Sequence, residues 1–189
     1  GSFRDKAERE WGKGVALDTI FGSEDAETAG ALSTTDARIL AFPVRSLQKV
    51  FVWVTCPMVV ARLKRDLDLA GIPNAKVPSA ATLNIGDDQA WYATGANFRS
   101  PLALEEVAFK VTEKTEVTTL ASAITGLGNA GAGFDEKRLL VISDADFEYL
   151  VRHATQVSAR IALNDKKTTT GGGGNLWYEE TLPPETLLY

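Results

Sequence analysis

The sequence predicts a mixed α+β domain that carries a long projecting hairpin. Three observations predict it. Two runs of β-formers, Ala37 to Val44 and Val50 to Thr55, are followed at once by a helix start at Thr55-Cys56-Pro57. A second strand-and-helix pair recurs at Arg138 to Ile142 and Phe147 to His153. Near the end, apolar residues alternate at Val157, Ala159, Ile161 and Leu163, a strand-like run resumes from Leu176 to Leu182, and a polar segment with four consecutive glycines lies between them.

The bulk numbers bound what such a domain can be. A chain of 189 residues that is 44 % hydrophobic and 24 % charged can bury a real core, and residues 1–189 are expected to form one domain. The longest apolar stretch, Val50 to Val60, is broken by Thr55, Cys56 and Pro57 and followed by Arg62, Lys64 and Arg65, so it is too short to cross a bilayer. No basic segment leading into an apolar one opens the chain, and one cysteine, Cys56, cannot make an intrachain disulfide. The expected location is therefore cytoplasmic, without a membrane partner. With one histidine, His153, and one cysteine, a zinc site or a Cys/His catalytic pair has almost no material. A net charge of −5 argues against a general positive field, so any grip on nucleic acid must be local.

Taken in order, Phe3 to Lys13 places Phe3, Ala7 and Trp11 at helical spacing among charges, which predicts a short opening helix. A loop around Gly22 to Gly30 follows. The first strand pair is joined by Arg45-Ser46-Leu47-Gln48-Lys49, a basic connection. Pro57 suits the first turn of a helix that runs from Met58 to Ala70 and stops at Gly71 and Pro73. Residues 72–100, rich in Gly, Asn, Asp and Pro, read as an insertion with short strand candidates at Ala81 to Ile85 and Ala90 to Thr94. Val107 to Val111 predicts a strand and Val117 to Ile124 a helix that ends in the glycine-rich run from Gly126 to Gly133. Ser143 with Asp144 and Asp146 sets an N-cap and an acidic first turn for the helix from Phe147 to His153. Four glycines cannot pack a core, so the hairpin with its tip at 164–175 is expected to project toward a partner.

The run GALSTTDARILAFPVRSL from Gly30 to Leu47, continuing to Trp53-Val54-Thr55-Cys56-Pro57, closely resembles the RAMP-superfamily backbone subunit of type III-B CRISPR (Cmr) effector complexes. The ending LWYEETLPPETLLY from Leu176 to Tyr189 resembles that family's strand after its hairpin, and Leu140 to Asp144 with Phe147 fits between them. The resemblance implies a modified ferredoxin-like α+β domain, related to RNA-recognition motifs, with the hairpin as a "thumb". It implies subunits stacked head to tail along a guide RNA, thumbs that kink the guide–target duplex, and metal-dependent endoribonuclease cleavage of target single-stranded RNA, with magnesium or manganese as the expected divalent metal. Implied partners are guide RNA, target RNA, further copies of the chain and other subunits of the complex.

Both ends read as cut, since the chain opens at Gly1-Ser2-Phe3 without methionine and stops in a strand-like pattern at Leu187-Leu188-Tyr189. In the family, the aspartate taken to drive cleavage lies upstream of the counterpart of Gly1-Ser2-Phe3-Arg4, so a complete active site is not expected here.

The residues that could carry function follow from both lines. Ser2 and Arg4 stand at a helix start that the resemblance places beside guide RNA, where an N-terminus plus an arginine suits a phosphate. Arg45, Ser46 and Lys49 form a cationic connection that can meet phosphate without reading a base. Lys166, Lys167, Thr168, Thr169 and Thr170 would be thumb residues that touch backbone and wedge bases. Glu179 and Glu180 resemble the family's acidic pair after the thumb, as metal ligand or proton carrier, and Asp36 of the Asp-Ala-Arg motif is a supporting candidate that places a metal or orients a turn. Strand alternation lets only one of Glu179 and Glu180 face a given side. Trp53 and Trp91 read as core, and His153 as a helix-end group.

Two functional classes stand after this reading. One is a guide-RNA-binding subunit that also cuts target RNA when intact; the other is a purely architectural, self-assembling RNA scaffold. A small-molecule enzyme lacks support, because no phosphate-cradling glycine motif sits between a strand and a helix.

Overall fold

The computed structural model describes residues 2–25, 27–33, 35–72, 76–127, 133–162 and 176–189. The chain divides into two compact units, Gly1–Ala37 and Arg38–Tyr189. In the first, helix α1 (Ser2–Trp11) is followed by helix α2 (Val15–Phe21), which the sequence reading did not anticipate because seven residues are too few to show a periodicity.

The second unit is built on one mixed sheet. Its strands are β1 (Ile39–Arg45), β2 (Phe51–Thr55), β3 (Gln89–Tyr92), β4 (Leu102–Leu104), β5 (Val107–Glu113), β6 (Leu139–Ile142) and β9 (Leu187–Leu188), in the order β4-β5-β3-β6-β2-β1-β9. The pairs β2 with β6 and β3 with β5 are parallel, and the other pairs antiparallel. A separate two-stranded sheet joins β7 (Gln156–Ile161) to β8 (Leu176–Thr181). Strands β2 and β6 are buried along almost their whole length rather than alternately, which means both faces of the sheet centre are covered.

Helices α3 (Pro57–Leu69), α4 (Thr115–Gly126) and α5 (Asp144–His153) add Val60, Leu63, Leu120, Ile124 and Leu150 to a single core with Phe42, Trp53, Phe109 and Leu140. Their ends follow the local chemistry. Pro57 takes the first turn of α3, and the backbone N–H of Met58 donates to the Asp144 carboxylate at 2.9 Å, so the start of α5 caps the start of α3. Gly71, at φ 68°, ends α3: its N–H reaches the Asp68 carbonyl and that of Ile72 the Leu67 carbonyl, the paired bonds of a Schellman ending. As expected, Ser143 caps α5 by accepting from the Asp146 N–H at 3.1 Å.

The middle of the chain departs most from expectation. Ala81 to Ile85 is not a strand; a 3-10 turn (Ala80–Thr82) stands there, while Gln89–Tyr92 becomes β3, inside the sheet between β5 and β6. Strand β4 was not anticipated, three residues giving no alternation to read. No helix among the described residues is long and apolar enough to cross a membrane.

Trp53 joins the core to the end of the chain. It is fully buried on β2, packs against Phe51 and Phe134 with ring centroids 4.9 and 5.1 Å away, and donates its indole N–H to the Glu185 carbonyl at 2.8 Å. Replacing Trp53 with Phe removes the donor, leaves that carbonyl unpaired and opens a small void. The expected loss is about 1–3 kcal/mol in urea unfolding, with the transition slope unchanged.

Candidate nucleic-acid interface

The connection from β1 to β2 is held by contacts far away in sequence. Ser46 forms an antiparallel bridge to Leu104 of β4, so one corner of the sheet curls until its two sides meet. Glu105 N–H donates to the Arg45 carbonyl at 3.1 Å, and Arg45 N–H donates to the Glu105 carboxylate at 3.2 Å. Gln48 and Arg99 clasp each other: the Gln48 side-chain amide donates to the Arg99 carbonyl at 2.6 Å and accepts from the Arg99 N–H at 2.8 Å. Lys49 holds its ammonium 5.8 Å from the centre of the Phe98 ring. The result is a corner with a fixed backbone that carries three cations, Arg45, Lys49 and Arg99. Among the described residues none of the three makes an ion pair within 4 Å, and Glu105 and Glu185 bring carboxylates to the same cleft as Arg45.

A cleft of about 480 Å³ opens beside this corner. Pro43, Arg45 and Phe51 line it from the first strand pair, His153 from the end of α5, Gln156 from the start of β7, and Pro184 from the return after β8. The single histidine, read from the sequence as a helix-end group, thus shares a wall with Arg45. Its ring also packs on Tyr149 at 4.5 Å, whose hydroxyl donates to Glu106 at 2.8 Å. That bond holds the Glu106 carboxyl below the usual carboxylate range.

The β7–β8 hairpin is rooted at the cleft, and every side chain of its described strands is exposed or half-buried. Glu179 and Glu180 lie on opposite faces, opposite Ser158 and Val157. Glu179 accepts from the Trp177 indole at 3.1 Å and from Arg160 Nε at 2.9 Å, and Glu180 accepts from the Thr155 hydroxyl at 2.6 Å. The two carboxylates therefore do not converge. Among the described residues no group of three or more His, Cys, Asp or Glu could hold a metal ion, so the expected divalent metal has no fitting site in them.

In the first unit, Ser2 begins α1, and Arg4 is committed internally, its guanidinium donating to Asp18 at 3.0 Å and to the Gly22 carbonyl. Asp36 is exposed just before β1. Lys166, Lys167, Thr168, Thr169 and Thr170 lie outside the described residues. The sequence reading missed Arg99 and Glu105, which stand more than 50 positions from the connection they fix. Only the β1–β4 contact reveals them. The α3 cations are partly spent, since Arg65 pairs with Asp66 at 3.0 Å.

The Trp177 indole and then Arg160 hold the Glu179 carboxyl below its ordinary range. A carboxyl lowered in the folded state adds stability above its unfolded value and loses it as pH falls through the lower, folded one. The Trp177 indole resonance followed by NMR should accordingly shift at a pH below ordinary glutamate titration, and Glu179→Gln should abolish the shift. An indole signal that still moves in that variant would mean another group holds it.

A family model for the RAMP superfamily matches residues 1–188. The chain is 37 % identical over 182 residues to the CRISPR system Cmr endoribonuclease Cmr4 of Pyrococcus furiosus, covering 92 % of this chain and 59 % of that protein. Oligomeric Cmr4 of Pyrococcus furiosus superposes with a TM-score of 0.66 at 31 % identity, over 81 % of this chain and 58 % of that one. A chain of the type III-B Cmr-beta complex bound to cognate target RNA superposes at 0.69 with 18 % identity, over 100 % and 66 % respectively, a likeness of fold. The chain thus spans about three fifths of the length of the Cmr4 relative it matches in sequence. On the match of nearly its whole length to one family model, joined to the mixed sheet and the separate two-stranded hairpin, the chain belongs to the RAMP superfamily.

Proposed function

We infer that this chain is the RNA-holding part of a backbone subunit of a type III-B CRISPR effector complex, working in the cytoplasm beside copies of itself and other subunits. The observation that carries this reading is that Arg45, at the head of the basic connection, and the root of the hairpin line one cleft. The backbone of Arg45 and Arg99 is fixed by hydrogen bonds before any ligand arrives, so little loop ordering opposes contact of their exposed side chains with phosphate. They are also local, which suits a chain whose net charge is −5. Sequence would be read by base pairing between guide and target, while the protein holds backbone and shape. The hairpin rooted at this cleft is then the element that enters and kinks the guide–target duplex.

Target cleavage with a divalent metal is proposed for the intact protein. The relative is named an endoribonuclease, and in the described residues the carboxylates of the hairpin are turned apart and already bonded. That same geometry favours the second reading, an architectural scaffold, for this stretch of chain taken alone.

Reversing Arg45 and Lys49 to Glu should weaken guide-RNA binding evenly across sequences. The slope of log K against log salt should fall by roughly 1–2, about 0.7 per lost phosphate contact on single strands. Filter binding from low to moderate salt checks it, with circular dichroism as the folding control; losses that depend on RNA sequence would count against the reading. Comparing this chain with the intact protein for target cleavage, with metal and with chelator, separates the readings. Cutting by the intact protein alone fits the assignment above, and cutting by neither leaves the scaffold.

A further inference from the structure

The cleft beside Arg45 carries a surplus of negative charge. Of the described side chains that line it, Arg45 is cationic, while Glu105 and Glu185 are anionic. A phosphate that enters meets one cation against two carboxylates, and like-charge repulsion opposes it. Among the described residues His153 is the only other lining side chain that can take up a positive charge. Histidine is also the side-chain type that gains or loses its charge between about pH 5 and 8.

Position and surroundings both suit a charged imidazole there. His153 is exposed and takes the last position of α5, at the carbonyl end of the helix, where a cation is favoured. Its ring packs on the Tyr149 ring with centroids 4.5 Å apart, and an aromatic face attracts cations. Next to Tyr149 stands Glu106, which accepts from the tyrosine hydroxyl. Glu105 approaches from the turn between β4 and β5, and Glu185 from the return after β8. Arg45 on β1 and Arg152 on α5 act in the opposite sense, but Arg152 is paired with Glu148 at 2.6 Å. The hairpin root contributes Thr155 and Gln156, which carry no charge, and Thr155 is bonded to Glu180. Among the described residues neither the His153 imidazole nor the Arg45 guanidinium has a hydrogen-bond or ion-pair partner. The two side chains thus line one cleft with their donors unspent.

We propose that His153, when protonated, is a second phosphate contact beside Arg45, so that this cleft grips the RNA backbone more tightly as pH falls. The inference rests on the RNA-holding reading above. A neutral imidazole leaves the cleft with a surplus carboxylate, whereas the imidazolium balances it and offers N–H donors to a phosphate oxygen. By linkage, the proton that tightens the hold is itself held more firmly once phosphate is in place, so binding is accompanied by proton uptake. Only backbone is touched, and the effect is the same for any RNA sequence.

Filter binding of a uridine oligomer, whose bases do not titrate in this range, to the intact protein from about pH 8 to about pH 5 at fixed salt tests it. Wild-type affinity should rise roughly tenfold as pH falls, the size of one charge-assisted contact. The slope against log salt should steepen by about 0.7 at the acid end. His153→Gln should stay at the weak, alkaline level throughout, and His153→Lys should bind tightly across the whole range, with circular dichroism unchanged in both. Calorimetry in two buffers of unlike ionisation heat should show protons taken up on binding, with the uptake lost in His153→Gln. If His153→Gln keeps the pH dependence, another group such as Glu105 or Glu185 titrates, and the proposal is overturned while RNA holding stands. A wild-type affinity that ignores pH overturns it in the same way. If the wild type binds no RNA at any pH, the RNA-holding reading fails with it.

Discussion

The indole N–H of Trp53 sets where the end of the chain returns beside the candidate interface. A tryptophan fully buried at the sheet centre must hand its one polar atom to an acceptor, and the acceptor taken is the Glu185 carbonyl, 132 residues later. That bond draws the segment after the hairpin back over the first strand pair, where β9 then pairs with β1 and Tyr189 exchanges backbone hydrogen bonds with Arg38. Once Pro183 to Glu185 are fixed there, the hairpin must leave the body beside Arg45 and His153, and the cleft follows from that. The Tyr189 hydroxyl and Arg38 both donate to the Asp66 carboxylate, which ties the same return to α3.

The second constraint is the curling of the sheet. Strand β4 would be a bare edge, open to pairing with any passing strand. The Ser46 bridge to Leu104 covers its end and simultaneously turns the β1–β2 connection outward. An edge problem and the shape of the candidate interface are settled by one set of bonds. In an acidic chain, backbone geometry rather than composition thus brings Arg45, Lys49 and Arg99 to one corner.

How much of this the sequence disclosed depended on how local each signal was. The strands of the first pair, α3 with its proline start and glycine stop, and the Ser143 cap of α5 were readable, because each is decided within a few residues. Trp53 read correctly as core; Trp91 is half-buried, with the Lys114 ammonium 4.8 Å from its ring centre. Helix α2 and strand β4 were too short for their periods to show. The interior place of β3 could not be read from a stretch rich in Gly, Asn and Asp, since its neighbours β5 and β6 come later in the chain. At the interface, Arg45, Ser46 and Lys49 were legible as a basic connection, whereas Arg99 and Glu105 became visible only once β4 met β1. For Glu179 and Glu180, strand alternation did foretell that they face opposite ways, and the structure adds that each already has a partner.

A hairpin with no core beneath it raises the question of what keeps it formed. Within the described strands, the ladder and the Trp177–Glu179–Arg160 group on the polar face supply directional bonds, each worth little in water. The opposite, apolar face, with Val157, Ile161, Leu176 and Tyr178, adds almost nothing until it is covered. Ordering and contact are therefore linked: whatever seats on that face also stiffens the two strands, and a stiffened hairpin loses less freedom in a further contact. A partner that orders the hairpin from its apolar side would thereby favour a second contact on its polar side, without any change in the sheet below.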